Sequence, residues 1–246
     1  MIMDWFTPEI AALAATAATI GVLHTIFGPD HYLPFVMLSR ARGWSARRTS
    51  LITLVCGLGH VLGSVLIGLV GVALGLALTQ LEWVEGVRGS LAAWALVVFG
   101  LLYMIWGLRH AWRNRPHVHW HTHVDGTRHL HEHRHASEHA HVHGEQSGKT
   151  ITPLALFIVF VLGPCEALIP MLMYPAAQHN YAGLALVTTV FGIATLTTMV
   201  AAVLVGLWGL NTVGEKLNLR RFAHWSHAVS GGAIGLCGAA IIGLGL

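Results

Sequence analysis

Charge is scarce in this sequence: Asp, Glu, Lys and Arg make up 10% of the 246 residues, against about a quarter in ordinary soluble domains. That shortage excludes a typical soluble enzyme. Cysteine is scarce too. Cys56, Cys165 and Cys237 all fall inside apolar stretches, which argues against a secreted disulfide framework. The glycines at 59, 63, 71 and 75 follow no strand and precede no Lys-Ser or Lys-Thr, and nothing resembles a hydrolytic triad or an ATP-binding loop, so ATP-driven work and enzymatic catalysis are not expected. The amino terminus carries Asp4 and Glu9 where a secretory leader would carry Lys or Arg, so no cleaved leader is expected.

What fills the chain is apolar: 54% of the residues, with a mean hydropathy of +0.63. Six stretches are long enough to cross a hydrocarbon core of about 30 Å: Pro8 to Leu38, Thr49 to Thr79, Ser90 to Trp112, Ile151 to Ala176, Ala182 to Leu210 and Phe222 to Leu246. The expected fold is an all-α membrane protein with the lipid bilayer as its main partner. The net charge of +3 comes from clusters between these stretches, which read as topology signals and not as a nucleic-acid surface. Arg40, Arg42, Arg47 and Arg48 crowd the first loop; Arg109, Arg113, Arg115 and Lys149 flank the third; Lys216, Arg220 and Arg221 lie in the fifth. The second offers only Arg88 beside Glu82 and Glu85, and the fourth, around Gln178 to Asn180, offers none. By the positive-inside rule both termini lie outside and the third loop in the cytoplasm, in a plasma (bacterial inner) membrane.

An internal repeat divides the chain. Gly28-Pro29-Asp30-His31 with Pro34 in the first stretch parallels Gly163-Pro164-Cys165-Glu166 with Pro170 in the fourth. With three helices per half, the halves enter the membrane in opposite directions, the inverted-repeat plan in which broken helices meet near the midplane. The expected domains are residues 1–112, a first three-helix repeat; 113–150, a histidine-rich loop; and 151–246, a second repeat.

Ionisable residues within apolar helices cost about 2.5 to 3.5 kcal/mol each on insertion scales and mark function. Here they are His24, Asp30 and His31, His60, and Cys165 with Glu166. Imidazole, carboxylate and thiolate suit a divalent ion of the Ni, Co or Zn kind. On an unbroken helix His24 and His31 would stand about 10 Å apart, so a shared ion requires the Gly28-Pro29 break to shorten the path. Each residue also has a structural role open to it: a hydrogen bond across helices for His24, capping or packing beside small residues for His60, an interfacial position facing Arg40 or Arg42 for Asp30 and His31, a pairing with histidine for Glu166, and packing for Cys165. The pairs Gly59/Gly63 and Gly71/Gly75 suggest close helix approach.

Of the 18 histidines, 11 lie in the third loop: His117, His119, His121, His123, His129, His131, His133, His135, His139, His141 and His143. Alternating imidazoles without cysteine suit weak, exchangeable metal binding.

The six-stretch pattern, the run from His24 to Gly28-Pro29-Asp30-His31, the Gly59-His60 pair and the histidine-rich loop together resemble the nickel/cobalt transporter families, including permeases, efflux proteins and membrane proteins associated with urease maturation. The resemblance implies a secondary transporter of Ni2+ or Co2+ (Zn2+ as a third candidate substrate), with export slightly favoured over uptake, no prosthetic group, and a cytoplasmic metallochaperone as a candidate partner. His24, Asp30, His31 and His60 take the motif positions, although the spacing from His24 to Asp30 is one residue longer than in the permeases. Gly163-Pro164-Cys165 also resembles membrane thiol-disulfide carriers, which use a cysteine in each half; here Asp30 occupies the first-half position. Two alternatives follow: an electron carrier using Cys165 and Cys56, and a membrane-anchored metal store or sensor working through the loop.

Overall fold

The computed structural model describes residues 5–113, 117–122, 128–133, 145–216 and 224–244. They form eight helices: α1 (Pro8–Phe27), α2 (Leu33–Arg42), α3 (Ala46–Ala73), α4 (Leu78–Arg113), α5 (Glu145–Leu162), α6 (Leu168–Ala177), α7 (Tyr181–Lys216) and α8 (Ser226–Leu244). Five of them, α1, α3, α4, α7 and α8, are long and apolar enough to cross a membrane. Their outward faces carry exposed leucines such as Leu62, Leu66 and Leu236, the surface expected of a bundle solvated by lipid. The protein is a multi-pass membrane protein.

Local sequence explains the ends. Thr7 caps α1 by accepting from the Ile10 amide, with Pro8 in the first turn, where its missing N–H costs nothing. Ser45 does the same for α3 through the Arg48 amide at 3.2 Å. Gly43 closes α2 in the left-handed region at φ 63°, a conformation open to glycine without a Cβ penalty.

Both Gly-Pro motifs break a helix. After Gly28 the chain makes one 3-10 turn, Pro29–His31, before α2. After Gly163 it runs unwound through Cys165 until α6 begins at Leu168. Ile151 to Ala176, expected as one crossing, is therefore two short helices, because Pro164 cannot donate to the carbonyl one turn back.

A second correction concerns α4. It starts at Leu78, twelve residues ahead of the expected Ser90, so the loop after α3 is short and Glu82, Glu85 and Arg88 are helical. Of the charges that made this stretch read as a loop, Glu85 and Arg88 are satisfied inside the protein and Glu82 is exposed.

Packing is organised by glycine. α4 lies along α8 and α1 along α7, while α3 contacts α5, α6 and α7. A methyl group on Gly100 would overlap the backbone of Gly235, and one on Gly107 or Gly231 would overlap the backbone of Ala228 or Met104. The two helices meet main chain to main chain. By contrast, Gly59 faces the side chains of Val161 and Phe157. Two buried apolar clusters result, one around Phe35, Leu38, Cys56, Phe160 and Met199, the other around Ala17, Cys165, Leu168, Leu172 and Phe191.

Part of the histidine-rich segment is a two-stranded antiparallel ladder and not an unstructured loop: β1 (His117–Thr122) pairs with β2 (Arg128–His133). The register sets histidine opposite histidine three times, His117 with His133, His119 with His131 and His121 with His129. Identical alternation in both segments produces this match. His123, His135, His139, His141 and His143 lie outside the described residues.

Candidate functional site

The break at Gly28-Pro29 turns the chain so that His24 and His31 meet. Their ring centroids are 4.7 Å apart, less than half the spacing that a straight helix would impose. His60, from the middle of α3, completes a triangle at 5.1 Å from His31 and 6.2 Å from His24. Glycine makes the space for it: a Cβ on Gly163 would lie 3.1 Å from His60 Nδ1, and one on Gly28 would overlap His31 Nδ1.

Cys165 enters the same site from the second break. One ligand atom each from His24, His60 and Cys165 all lie within 4.8 Å of one another. Cys165 is fully buried, and His31 and His60 are each 2% exposed. The Nε2 atoms of His24, His31 and His60 are buried without a hydrogen-bond partner. Two imidazoles beside one thiol, with a third ring packed on both and all three Nε2 atoms bare, is an arrangement with chemical consequences, because each unpartnered polar atom carries a desolvation cost.

Asp30 stands behind this group. Its Oδ1 lies 3.1 Å from His31 Nδ1, which also lies 3.1 Å from the Gly28 carbonyl. Both partners accept, so Nδ1 carries a proton, and in the neutral ring Nε2 then presents its lone pair. Glu166, expected beside Cys165, points the other way and is exposed. Adjacent residues in an unwound stretch project to opposite sides, so Cys165 faces inward and Glu166 outward.

The carboxylate that does serve the second break is Glu85. Its Oε2 accepts from the Cys165 amide at 2.9 Å and from the Ser64 hydroxyl at 2.9 Å. Arg88 pairs with Glu85 and also donates to Ser64 Oγ at 3.1 Å, to the Val161 carbonyl at 2.8 Å and to the Gly163 carbonyl at 3.1 Å. Cation and anion therefore satisfy, respectively, the carbonyls left at the end of α5 and the amide left by the break, each matched in sign to the backbone groups it meets. Sequence reasoning placed both residues in a loop. The signal that locates them is their position on the α4 stripe that continues through Ala92, Leu96, Gly100 and Tyr103 to Gly107, all buried.

The remaining thiols stay apart from this group. Cys56 is one turn from His60 on α3 but packs in the cluster with Phe35, Phe160 and Met199, and Cys237 is buried on α8. No two cysteines among the three form a disulfide.

Comparison with known proteins now bears on these features. Residues 33–240 match the family described as cytochrome C biogenesis protein transmembrane region. The chain belongs to this family. No curated protein and no solved structure matched it. The match takes in Cys56, His60, Glu85, Arg88, Cys165 and Cys237 and starts beyond His24, Asp30 and His31. It overturns the resemblance to nickel/cobalt transporters and with it the expected function as a Ni2+ or Co2+ carrier. That expectation rested on the six-stretch pattern, the first-helix motif, the Gly59-His60 pair and the histidine-rich segment, whose specific motifs are short, whereas the family match runs through seven of the eight helices.

Proposed function

We propose that the protein is the membrane part of a thiol-disulfide relay of the cytochrome c biogenesis kind, with Cys165 as the reactive sulfur. The observation that carries this reading is the family match over residues 33–240, which includes the Gly163-Pro164-Cys165 break. The site adds support: imidazoles of His24 and His60 lie beside a buried thiol, the pairing by which a thiol is activated.

In the proposed cycle an imidazole takes the Cys165 proton. The thiolate attacks one sulfur of an incoming disulfide, forming a mixed disulfide, and the second sulfur leaves as a thiolate that recovers the proton. The Cys56 thiol then attacks the Cys165 sulfur, releasing the bound partner as a thiol and leaving a Cys56–Cys165 disulfide. A dithiol protein of the thioredoxin kind, on the other membrane face, reduces that bond and restores two thiols. Two electrons cross per cycle. Since Cys56 and Cys165 belong to separate clusters, the cycle requires α3 and the second break to slide past each other.

Six crossings in two inverted halves, with both termini outside and the histidine-rich segment cytoplasmic, give such a motion a natural axis. The paired Gly-Pro breaks and the arginine distribution favour that topology.

The test is electron flow across proteoliposomes, with a reduced dithiol protein on one side and a small disulfide on the other. Cys165→Ser and Cys56→Ser are expected to abolish flow, and Cys237→Ser to retain it. Parental flow in Cys165→Ser would remove the reading.

A further inference from the structure

We infer that His24, His60 and Cys165 form a binding site for one resident transition-metal ion of the Zn2+ class, with His31 as the fourth donor held in place by Asp30. The inference stands on geometry and does not depend on the relay; a bound ion holds Cys165 as a metal thiolate, so the ion and the relay exclude each other at this sulfur and the relay runs in the metal-free protein.

Three observations converge. The donor atoms of His24, His60 and Cys165 already lie within 4.8 Å of one another, so a small inward movement brings all three to bonding distance; Zn–N and Zn–S bonds are about 2.0 and 2.3 Å. His24 and His60, with the neighbouring His31, leave Nε2 buried and unpartnered. In an apolar interior this is costly for three adjacent groups, and a shared cation is the one ligand that satisfies all of them together with a thiolate. Finally, Asp30 and the Gly28 carbonyl both accept from His31 Nδ1. That is the carboxylate–histidine support seen behind metal-bound imidazoles, which fixes the ring and leaves Nε2 free to coordinate.

Charge closes the argument. A thiolate at Cys165 and the Asp30 carboxylate together offset a double positive charge, so the filled site is neutral where the membrane disfavours net charge. Binding moves the thiol proton to solvent and forms a metal–sulfur bond in its place. Two nitrogens and a sulfur select a borderline or soft ion over Mg2+ or Ca2+, which prefer oxygen. Glu166, being exposed, takes no part.

Co2+ substitution in the purified full-length chain gives a readout that the histidine-rich segment cannot mimic, because only a thiolate ligand produces sulfur-to-cobalt charge-transfer absorption in the near ultraviolet. The parent and Cys237→Ser are expected to show that band at one ion per chain, and Zn2+ to erase it. Cys165→Ser is expected to lose it entirely. Asp30→Asn, which keeps every ligand, should weaken Co2+ binding about ten- to a hundredfold. Zn2+ protection of Cys165 from a small uncharged, membrane-permeant maleimide in the parent provides a second measure that needs no substitution. Absence of the band in the folded parent, or its persistence in Cys165→Ser, would overturn the site. Either result is separable from the relay, since electron flow in chelator is expected to continue if the relay holds and the metal site fails.

Discussion

The backbone amide of Cys165 donates to Glu85 Oε2 at 2.9 Å, tying the unwound stretch between α5 and α6 to a buried carboxylate on α4. Glu85 is fully buried and pairs with Arg88, whose side chain is 12% exposed. The position of the Cys165 sulfur thus depends on a charged pair some eighty residues away in sequence, and the energetics of that pair can be tested directly.

Arg88→Met leaves the Glu85 charge without its partner and the Val161 and Gly163 carbonyls without a donor. Breaking a buried pair from one side costs about 3 to 5 kcal/mol. A large loss of Tm in detergent is expected, with Glu85→Gln alone also destabilising. The double substitution should cost less than the sum of the two, because no uncompensated charge remains. Additive losses would show that the two side chains act separately.

At the α4–α8 contact, Gly100→Ala is expected to reduce folded yield sharply, since the added methyl overlaps the Gly235 backbone. Gly209→Ala, where nothing lies within 4 Å of an added Cβ, is the matched control on α7. It should leave stability unchanged or raise it by up to about 1 kcal/mol through helix propensity. Thermal unfolding of both variants in one lipid or detergent checks the pair.

Gly28→Ala and Gly163→Ala approach the histidine triangle from its two breaks. The first presses on His31, the second on His60 Nδ1 and the Phe160 carbonyl at 3.1 and 3.2 Å. Neither changes a charge or a ligand. Each is expected to lower thiol exchange at Cys165 at least about tenfold while the protein remains folded, a consequence of displacing the site by fractions of an ångström. Normal exchange in both would mean that the imidazoles do not act on the sulfur.

Maleimide labelling gives a simple check on burial. Cys56, Cys165 and Cys237 are all buried thiols, so a charged maleimide is expected to leave the resting protein unmodified and to label three sites after denaturation. During turnover with an external disulfide, protection should be lost at Cys165 and Cys56 and kept at Cys237. Mass spectrometry of the labelled peptides identifies each site.

Much of this arrangement was readable from the residues. Gly28-Pro29 and Gly163-Pro164 announce two broken helices because a proline's missing N–H is a local property of the chain. His24, His31 and His60 stand out by their cost in an apolar helix. What local reasoning could not supply was partnership. Glu85 and Arg88 read as loop charges because what offsets them, the freed backbone groups around Cys165, lies far along the chain. Cys165 and Glu166, adjacent in sequence, face opposite ways, and only the unwound geometry decides which enters the site. The histidine-rich segment, the most conspicuous compositional feature, drew the functional reading toward metal transport, yet repetitive composition carries little information about ancestry. The family relation does leave a local sign, the resemblance of Gly163-Pro164-Cys165 to membrane thiol-disulfide carriers, but Asp30 at the matching first-half position sets that sign below the metal reading.

The glycine contact between α4 and α8 has a mechanical corollary. Where two backbones touch over Gly100, Gly107, Gly231 and Gly235, neither helix can turn about its own axis without collision, so the pair behaves as a keel. Glu85 and Arg88 are mounted on that keel and grip the broken end of α5. In the proposed relay, movement between membrane faces must then be made by the other helices about the Cys165 sulfur, which the keel holds still.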